Sequence, residues 1–224
     1  MYKIELHLHT KYSSGCGQLS AEELISAYKE AGYSAIVVTD HYNRDTYNLK
    51  KIDPAAPVDR LTPFLEGYSK MKELGEQHGL VILRGAELRF DGSFNDYLLF
   101  NYPDRLLEDP EKLFTMGLHE FVQLSRKAGA LLIQAHPFRP MCTPADLADL
   151  DGIEISNMHP WHNSRNELAK ALADTDPRLI RTGGSDCHAT EHIGRGGILS
   201  ETLPKTEAEL IQLLRSGNYK IIGE

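Results

Sequence analysis

The chain has 224 residues, 41% of them hydrophobic and 25% charged, which is typical of a globular protein with one sizeable core, and we expect a single domain over residues 1–224. A formal net charge of -8 argues against a broad nucleic-acid surface, because phosphate backbones are bound by dense Lys and Arg. No apolar run approaches a membrane span, the first residues lack a signal-peptide core, and three cysteines form no paired framework, so we expect a cytoplasmic protein.

Short β-rich runs alternate with helical stretches along the chain, which is typical of an α/β fold with a parallel sheet. Each run combines apolar and β-branched residues and is bounded by polar or turn-forming residues. The predicted strands are, in chain order, residues 2–8, 35–39, 80–84, 97–101, 131–134, 152–156 and 179–182, seven in all.

Capping signals mark two of the helices between these strands. Ser20 with Glu23 forms a capping-box pair before an apolar stripe. Thr206 with Glu209 forms a second pair of the same kind near the end of the chain. The polar segment 43–63 is interrupted by prolines, and it is predicted to be a long surface loop and a possible lid. Further helices are predicted over residues 63–78, 118–129 and 165–174.

Residues that commonly bind metal ions follow the ends of the predicted strands. Because the carboxyl ends of parallel strands meet at one edge of a sheet, we expect these side chains to converge there. In "HLH" and "DCH", residues i and i+2 of an extended chain face the same side, so both can reach one ion. The residues are His7, His9, Asp40, His41, Glu87, His136, Asp186 and His188.

The chemistry of this set favours a catalytic metal cluster. Neutral imidazole and carboxylate suit zinc, manganese or iron better than calcium, and the chain has no Cys pair of the kind that forms structural zinc sites. A single histidine at a strand end is more often an ordinary core or surface residue, but the set as a whole favours metal binding. His78 and His119, on predicted helices, are interpreted as solvated, and His192 is left open.

Five motifs in this order resemble those of the PHP family, the polymerase and histidinol phosphatase family of metal-dependent phosphoesterases. They are "HLHTKYS", "VTDH", "GAE", "AHPFR" and "GSDCHATEHIG", and they extend over nearly the whole chain. The resemblance implies a distorted seven-stranded (β/α) barrel with one to three divalent ions at its C-terminal mouth. It implies three ligand sets: His7, His9, Glu87 and Asp186 for the first ion, Glu87 and His136 for the second, and His41 and His188 for the third.

Two segments depart from the family pattern. Where many relatives have an Asp or His, this chain reads "SSGC", so the third ion loses a usual ligand unless Cys16 or a water replaces it. Relatives also commonly place a His in or just after the fourth strand, whereas "NDYLLFNYPD" has none. Asn101 and Asp104 are the nearby polar candidates for the second ion. Asp40 is interpreted either as a ligand or as a partner of a ligand.

The resemblance implies hydrolysis of a small phosphorylated metabolite or nucleotide by metal-activated hydroxide. Catalytic roles are expected for Arg139, Asp40 and His41. Arg139, three residues after His136, is expected to bind two phosphate oxygens with its guanidinium, which Lys cannot imitate.

Three further residues are expected to contact the substrate. Arg195 is a second candidate for phosphate, and the segment "NMHPWHNSRN" holds His159 and Trp161, the only tryptophan. An indole over the pocket can stack on a ring of the substrate, although a single Trp is more often buried packing. The alternative functions are a sensor that binds metal and phosphate without turnover, a nucleic-acid exonuclease of the same family and a metal-activated amidohydrolase.

Overall fold

A twisted sheet of ten strands forms the centre of the computed structural model, which describes residues 1–55 and 59–223. The strands follow one another in the order β10-β9-β1-β2-β4-β5-β6-β7-β8, and β3 pairs with β4. Their bounds are β1 Tyr2–Glu5, β2 Tyr33–Val38, β3 His41–Tyr42, β4 Val81–Leu88, β5 Tyr97–Phe100, β6 Leu131–Gln134, β7 Gly152–Asn157, β8 Ile180–Gly184, β9 Gly197–Ser200 and β10 Tyr219–Ile222.

The two ends of this sheet approach each other and nearly close a barrel. A Cβ on Gly196, just before β9, would lie 2.2 Å from the carbonyl carbon of Gly184 in β8, so only glycine permits this approach. The expected distorted barrel is confirmed. Three short strands add to the predicted seven: two-residue β3 is too short to leave a pattern, and β9 and β10 form an antiparallel pair beside β1.

The direction of β5 differs from the predicted parallel arrangement. β5 is antiparallel to both β4 and β6, so its first residues, not its last, lie where the neighbouring parallel strands end. We call that end of the barrel the mouth. Asn101 instead donates from its side chain to the carbonyl of Gly129, which precedes β6, and Asp104 pairs with Arg84. Neither Asn101 nor Asp104 therefore lies at the mouth, and their proposed role beside the second ion is wrong.

Seven helices accompany the strands in the described part of the chain. The capping box at Ser20 and Glu23 is present, and Thr206 accepts a hydrogen bond from the backbone of Glu209, as predicted. Two helices were not predicted: α4, and α2, which lies inside the predicted loop 43–63. The helices are α1 Ala21–Glu30, α2 Arg44–Leu49, α3 Glu66–His78, α4 Pro110–Met116, α5 Leu118–Lys127, α6 Asn166–Asp174 and α7 Glu207–Ser216.

The short helix α2 forms because local contacts hold it. The side chain of Asn43 accepts from the backbone of Thr46, which caps the first turn. Tyr47 is buried against Tyr42 and Phe114, with ring centroids 5.5 Å away in each case. The segment thus adds to the core instead of forming an open loop. None of the helices in the described residues is long and apolar enough to cross a bilayer.

Candidate metal centre

The segments "HLH" and "DCH" run side by side after β1 and β8. Leu8 and Cys187, their central residues, form a parallel bridge and are fully buried in the core. The backbone of His9 donates to the carbonyl of Cys187 at 2.9 Å, which holds the two segments in register. Since side chains alternate along an extended chain, the flanking residues lie together on the other side. Those flanking residues are His7, His9, Asp186 and His188.

Four of the predicted ligands surround a gap of the size of a metal ion. The Nε2 atom of His7 lies 3.2 Å from Glu87 Oε1 and 3.4 Å from Asp186 Oδ1, and His9 Nε2 lies 3.4 Å from Glu87 Oε2 and 3.3 Å from Asp186 Oδ1. A tetrahedral ion with bonds of about 2.0–2.1 Å separates its ligand atoms by about 3.3 Å. The spacing of these four residues therefore fits a divalent cation such as zinc.

Three of these atoms have no hydrogen-bond partner. His7 Nε2, His9 Nε2 and Glu87 Oε2 are buried and make no hydrogen bond. Buried polar atoms are nearly always hydrogen-bonded, because leaving one unpaired in a protein interior costs about 1–3 kcal/mol. A bound cation satisfies all three at once, so the residues present fit the metal ion that the family resemblance implies.

The hydrogen bonds of the outer ring nitrogens prepare both histidines as ligands. His7 Nδ1 lies 2.9 Å from Glu154 Oε1, a carboxylate oxygen that only accepts, so Nδ1 carries the proton and Nε2 the lone pair. His9 Nδ1 lies 3.1 Å from Ser14 Oγ, whose own proton goes to Asp40 Oδ1 at 2.8 Å. Both imidazoles therefore offer Nε2 to the gap.

Asp40 lies behind this layer. Its two oxygens accept from the backbone and hydroxyl of Thr10, at 2.7 and 2.8 Å, and from Ser14. Burial raises its pKa to about 6, although these hydrogen bonds oppose the shift. Asp40 thus contacts His9 only through Ser14, which is the outer-partner alternative of its two interpretations.

A second group of candidate ligands lies on the other side of Glu87. His136 Nε2 is 3.2 Å from Glu87 Oε1 and 3.9 Å from Asp96 Oδ2. His136 has a φ of 29°, a strained conformation of the kind found at functional sites. Asp96 immediately precedes β5, and it reaches the mouth because that strand is reversed. Arg89 donates to both of its oxygens at 2.8 Å and holds the carboxylate in place, while the remaining lone pairs stay available to an ion.

A third group joins His41 to the other imidazoles. One nitrogen each from His9, His41 and His188 lies within 4.8 Å of the others, and His41 Nδ1 is 2.7 Å from Glu87 Oε2. Although Cys16 is exposed as a residue, its thiol contacts His188 and His41. Desolvation opposes ionisation of this thiol, but the hydrogen bonds with both imidazoles outweigh it and lower its pKa to about 6. Cys16 therefore lies where the family pattern lacks its usual ligand.

The carboxylates at the centre carry the negative charge that favours binding of a cation. Burial opposes ionisation of Glu87, yet the neighbouring His7 and His41 hold its pKa well below the usual range. Burial likewise opposes ionisation of Asp186, while His7 and Arg139 keep its pKa well below normal. Both carboxylates are thus ionised at neutral pH, as metal ligands must be.

Arg139 contacts the centre through Asp186. Its NH2 group donates to Asp186 Oδ2 at 2.6 Å and to Asn157 Oδ1 at 2.8 Å, whereas its Nε is buried and has no partner. Arg139 also lines the cavity at the mouth. Arg195 is not among the residues that line this cavity, and its Nε donates to the carbonyl of Glu191.

His159, His188 and His192 form another imidazole cluster, but its protonation does not suit a metal ion. The Nδ1 atom of His159 accepts from the backbone of Trp161 at 3.2 Å, and that of His192 accepts from the backbone of His188 at 3.1 Å. In a neutral imidazole the proton is then on Nε2, which leaves that nitrogen without a lone pair for a metal. His159 and Trp161 instead form one wall of the cavity.

Glu154 in β7 was not recognised from the sequence. Its Oε1 accepts from His7, and its Oε2 accepts from the backbone of His136 at 3.0 Å and from Asn157 at 2.9 Å. It therefore orients ligands of two groups. The available signal was a glutamate inside the buried strand "GIEIS", where a charge is rare without a partner.

We expect Glu154→Gln to lower metal affinity by about 10- to 100-fold, the usual effect of losing an outer partner of a ligand. The amide oxygen accepts like a carboxylate, but the negative charge that fixes the His7 tautomer is gone. Competition with a chromogenic chelator measures this affinity. Glu120→Gln, an exposed position on α5, is the matched control. Equal affinities of the two variants would contradict the role of Glu154.

Comparisons with known proteins agree with this arrangement. The family model described as the PHP domain matches residues 5–182, and a second model, described as PHP-associated, matches residues 163–219. No curated protein matches the chain in sequence.

Three solved structures share the fold. A two-domain protein from Bacteroides vulgatus containing a predicted PHP-like metal-dependent phosphoesterase is 17% identical, with a TM-score of 0.67 over 98% of this chain and 64% of that one. PsfC from Pseudomonas syringae is 21% identical, with a TM-score of 0.68 over 94% and 87%. The lesion-specific endonuclease EndoQ from Pyrococcus furiosus is 17% identical, with a TM-score of 0.60 over 98% and 57%. This chain thus spans under two thirds of the first and third of these proteins.

The motif resemblance is confirmed by the family model, which covers well over half of the chain. The mouth of the barrel carries a cluster of buried imidazoles and carboxylates that could hold metal ions. The chain belongs to the PHP domain family.

Proposed function

We propose that this protein hydrolyses phosphate esters of small metabolites or nucleotides. The observation that carries the proposal is the gap between His7, His9, Glu87 and Asp186, where His7 Nε2, His9 Nε2 and Glu87 Oε2 are buried without a hydrogen bond. Arg139 borders the same gap and supplies the positive charge that a phosphate requires.

The residues that would hold ions are those of the three groups around Glu87. Bound manganese, zinc or iron would stabilise the charge of the phosphate oxygens and lower the pKa of a water molecule. Glu87 connects the three groups, because its Oε1 faces His7 and His136 and its Oε2 faces His9 and His41. His41, 17% exposed, is the most accessible histidine of these groups and faces the cavity.

The size of the cavity supports a small substrate. Its volume is about 240 Å³, below the range of about 300–1,000 Å³ that encloses drug-sized ligands. The net charge of -8 gives no general attraction for nucleic acid. Both observations favour a small ester over the nucleic acid that the name of EndoQ suggests for that relative.

Turnover of two chromogenic esters tests the proposal. The purified protein, loaded with manganese or zinc, is given nitrophenyl phosphate and bis-nitrophenyl phosphate, and a chelator-treated sample is the control. We expect chelator-sensitive release of nitrophenol, and the better ester separates monoesterase from diesterase activity. If metal stays bound and neither ester is cleaved, the sensor alternative is favoured instead.

We expect Arg139→Ala to raise KM for a phosphate ester by about 10- to 100-fold, because a hydrogen bond to a charged group contributes about 1.5–3 kcal/mol. Metal content, measured in parallel, should fall less, since Asp186 keeps the Asn157 contact at 3.3 Å. Arg139→Lys, which keeps the positive charge but lacks the planar guanidinium group, is the matched comparison. Equal loss of metal and activity would show that Arg139 only positions Asp186.

A further inference from the structure

Four large apolar side chains are exposed on the loops around the mouth and at the end of α2. Leu49 is 68% exposed, Phe94 56%, Met141 71% and Trp161 54%. Leu49, Met141 and Trp161 follow strands that end at the mouth. Phe94 precedes β5, which begins at the mouth because it is reversed. We call these four residues the apolar rim.

Several rim residues contact segments that carry candidate metal ligands. A Cβ on Gly15 would lie 2.4 Å from Leu49 Cδ1, so Leu49 covers the turn that carries Cys16. The carbonyl of Phe94 accepts from Cys142, whose sulfur lies 3.9 Å from His136 Nδ1. Met141 is the neighbour of Cys142 in the chain.

Trp161 stands on the remaining side. Its ring lies 4.3 Å from that of His192 and 5.5 Å from that of His159, and it lines the cavity together with His136 and Asp186. More than half of the indole nevertheless faces solvent, so it is not the buried packing residue that a single tryptophan usually is.

We propose that the substrate is a phosphate ester whose organic part is aromatic and lies on the apolar rim. This inference rests on the proposed function, since the phosphate would be held at the metal centre. The charged metal centre matches the phosphate end of such an ester, and the apolar rim around it matches the organic end. Phe94 and Trp161 offer ring faces and edges for an aromatic group, and the thioether of Met141 packs well against one.

Binding of two phosphonates, which cannot be hydrolysed, tests the inference apart from turnover. The manganese-loaded protein is titrated with 3-phenylpropylphosphonate and with propylphosphonate, which differ only in the ring. We expect the phenyl compound to bind roughly tenfold more tightly, as burial of a ring predicts. It should also change the fluorescence of Trp161, the only tryptophan of the chain.

Variants of the rim identify where the preference arises. Phe94→Ser and Trp161→Ser are each expected to reduce the preference for the phenyl compound. Leu124→Ser on α5, which is 40% exposed and lies near the start of β6 and away from the mouth, is the control and should keep it. Equal binding of the two phosphonates, or the same preference in all variants, would overturn the inference.

The corresponding esters, 3-phenylpropyl phosphate and propyl phosphate, separate this inference from the proposed function, because their leaving alcohols have similar acidity. Cleavage of both at equal kcat/KM would contradict the aromatic preference and leave the phosphoesterase intact. Selective binding of the phenyl phosphonate with no cleavage of either ester would contradict the enzyme and retain the rim as a ligand site. Failure of both phosphonates to bind would contradict both proposals.

Discussion

Glu87→Gln is expected to lower kcat/KM on the order of a thousandfold and to remove most of the bound metal. Both oxygens of Glu87 face imidazoles of all three candidate groups, so the substitution weakens every one of them. Removing one partner from a buried charged set costs about 3–5 kcal/mol, and each 1.36 kcal/mol corresponds to about a tenfold change. Metal content by mass spectrometry and turnover of nitrophenyl phosphate measure the two effects.

The volume of the side chain is nearly unchanged in this variant, so the fold should be retained. Thermal unfolding monitored by circular dichroism, with wild type and variant both in chelator, checks this point. A Glu87→Gln protein that kept its metal and full turnover would show that the ions bind elsewhere.

His9→Ala is expected to have an effect of similar size, whereas His192→Ala should leave metal content unchanged. The two residues are equally buried, but they differ in protonation: His9 gives its Nδ1 proton to Ser14, and the Nδ1 of His192 accepts a backbone N–H. Only His9 therefore offers Nε2 as a ligand. Metal content of the two variants, purified side by side, tests this difference.

This comparison has a direct internal control, because both substitutions remove one buried imidazole. Loss of metal in both variants would mean that burial and packing, rather than the ring tautomer, determine metal content. Retention of metal and turnover in His9→Ala would contradict the assignment of the "HLH" segment.

Much of the centre follows from the sequence because strand direction and alternation are regular. "HLH" and "DCH" could be placed at one edge because both follow predicted strands, and their spacing put the outer residues of each on one face. Their central residues Leu8 and Cys187 are indeed buried side by side. The reversal of β5 could not be predicted, because a short apolar run reads the same in either direction. For that reason Asp96, at the start of the strand, was overlooked in favour of residues near its end.

The roles of the remaining histidines depend on contacts that the sequence does not contain. Whether a ring nitrogen of His159 or His192 accepts or donates is determined by backbone groups of a folded loop. Glu154 was overlooked for a related reason, since its partner His7 lies 147 residues away in the chain. Helix α2 was missed because its tyrosine packs against residues distant in sequence.

The reversal of β5 also has a consequence for protein engineering. The connection between β4 and β5 crosses the mouth, while the connection that follows β5 leaves from the opposite end of the barrel. Replacement of residues 90–95 by loops of other composition would change what the entrance admits. Insertions or fluorescent labels near residues 104 and 105 would instead lie towards the opposite end of the barrel, where Asp104 pairs with Arg84. Positions before β5 are therefore suited to altering selectivity, and positions after β5 are suited to attaching a reporter.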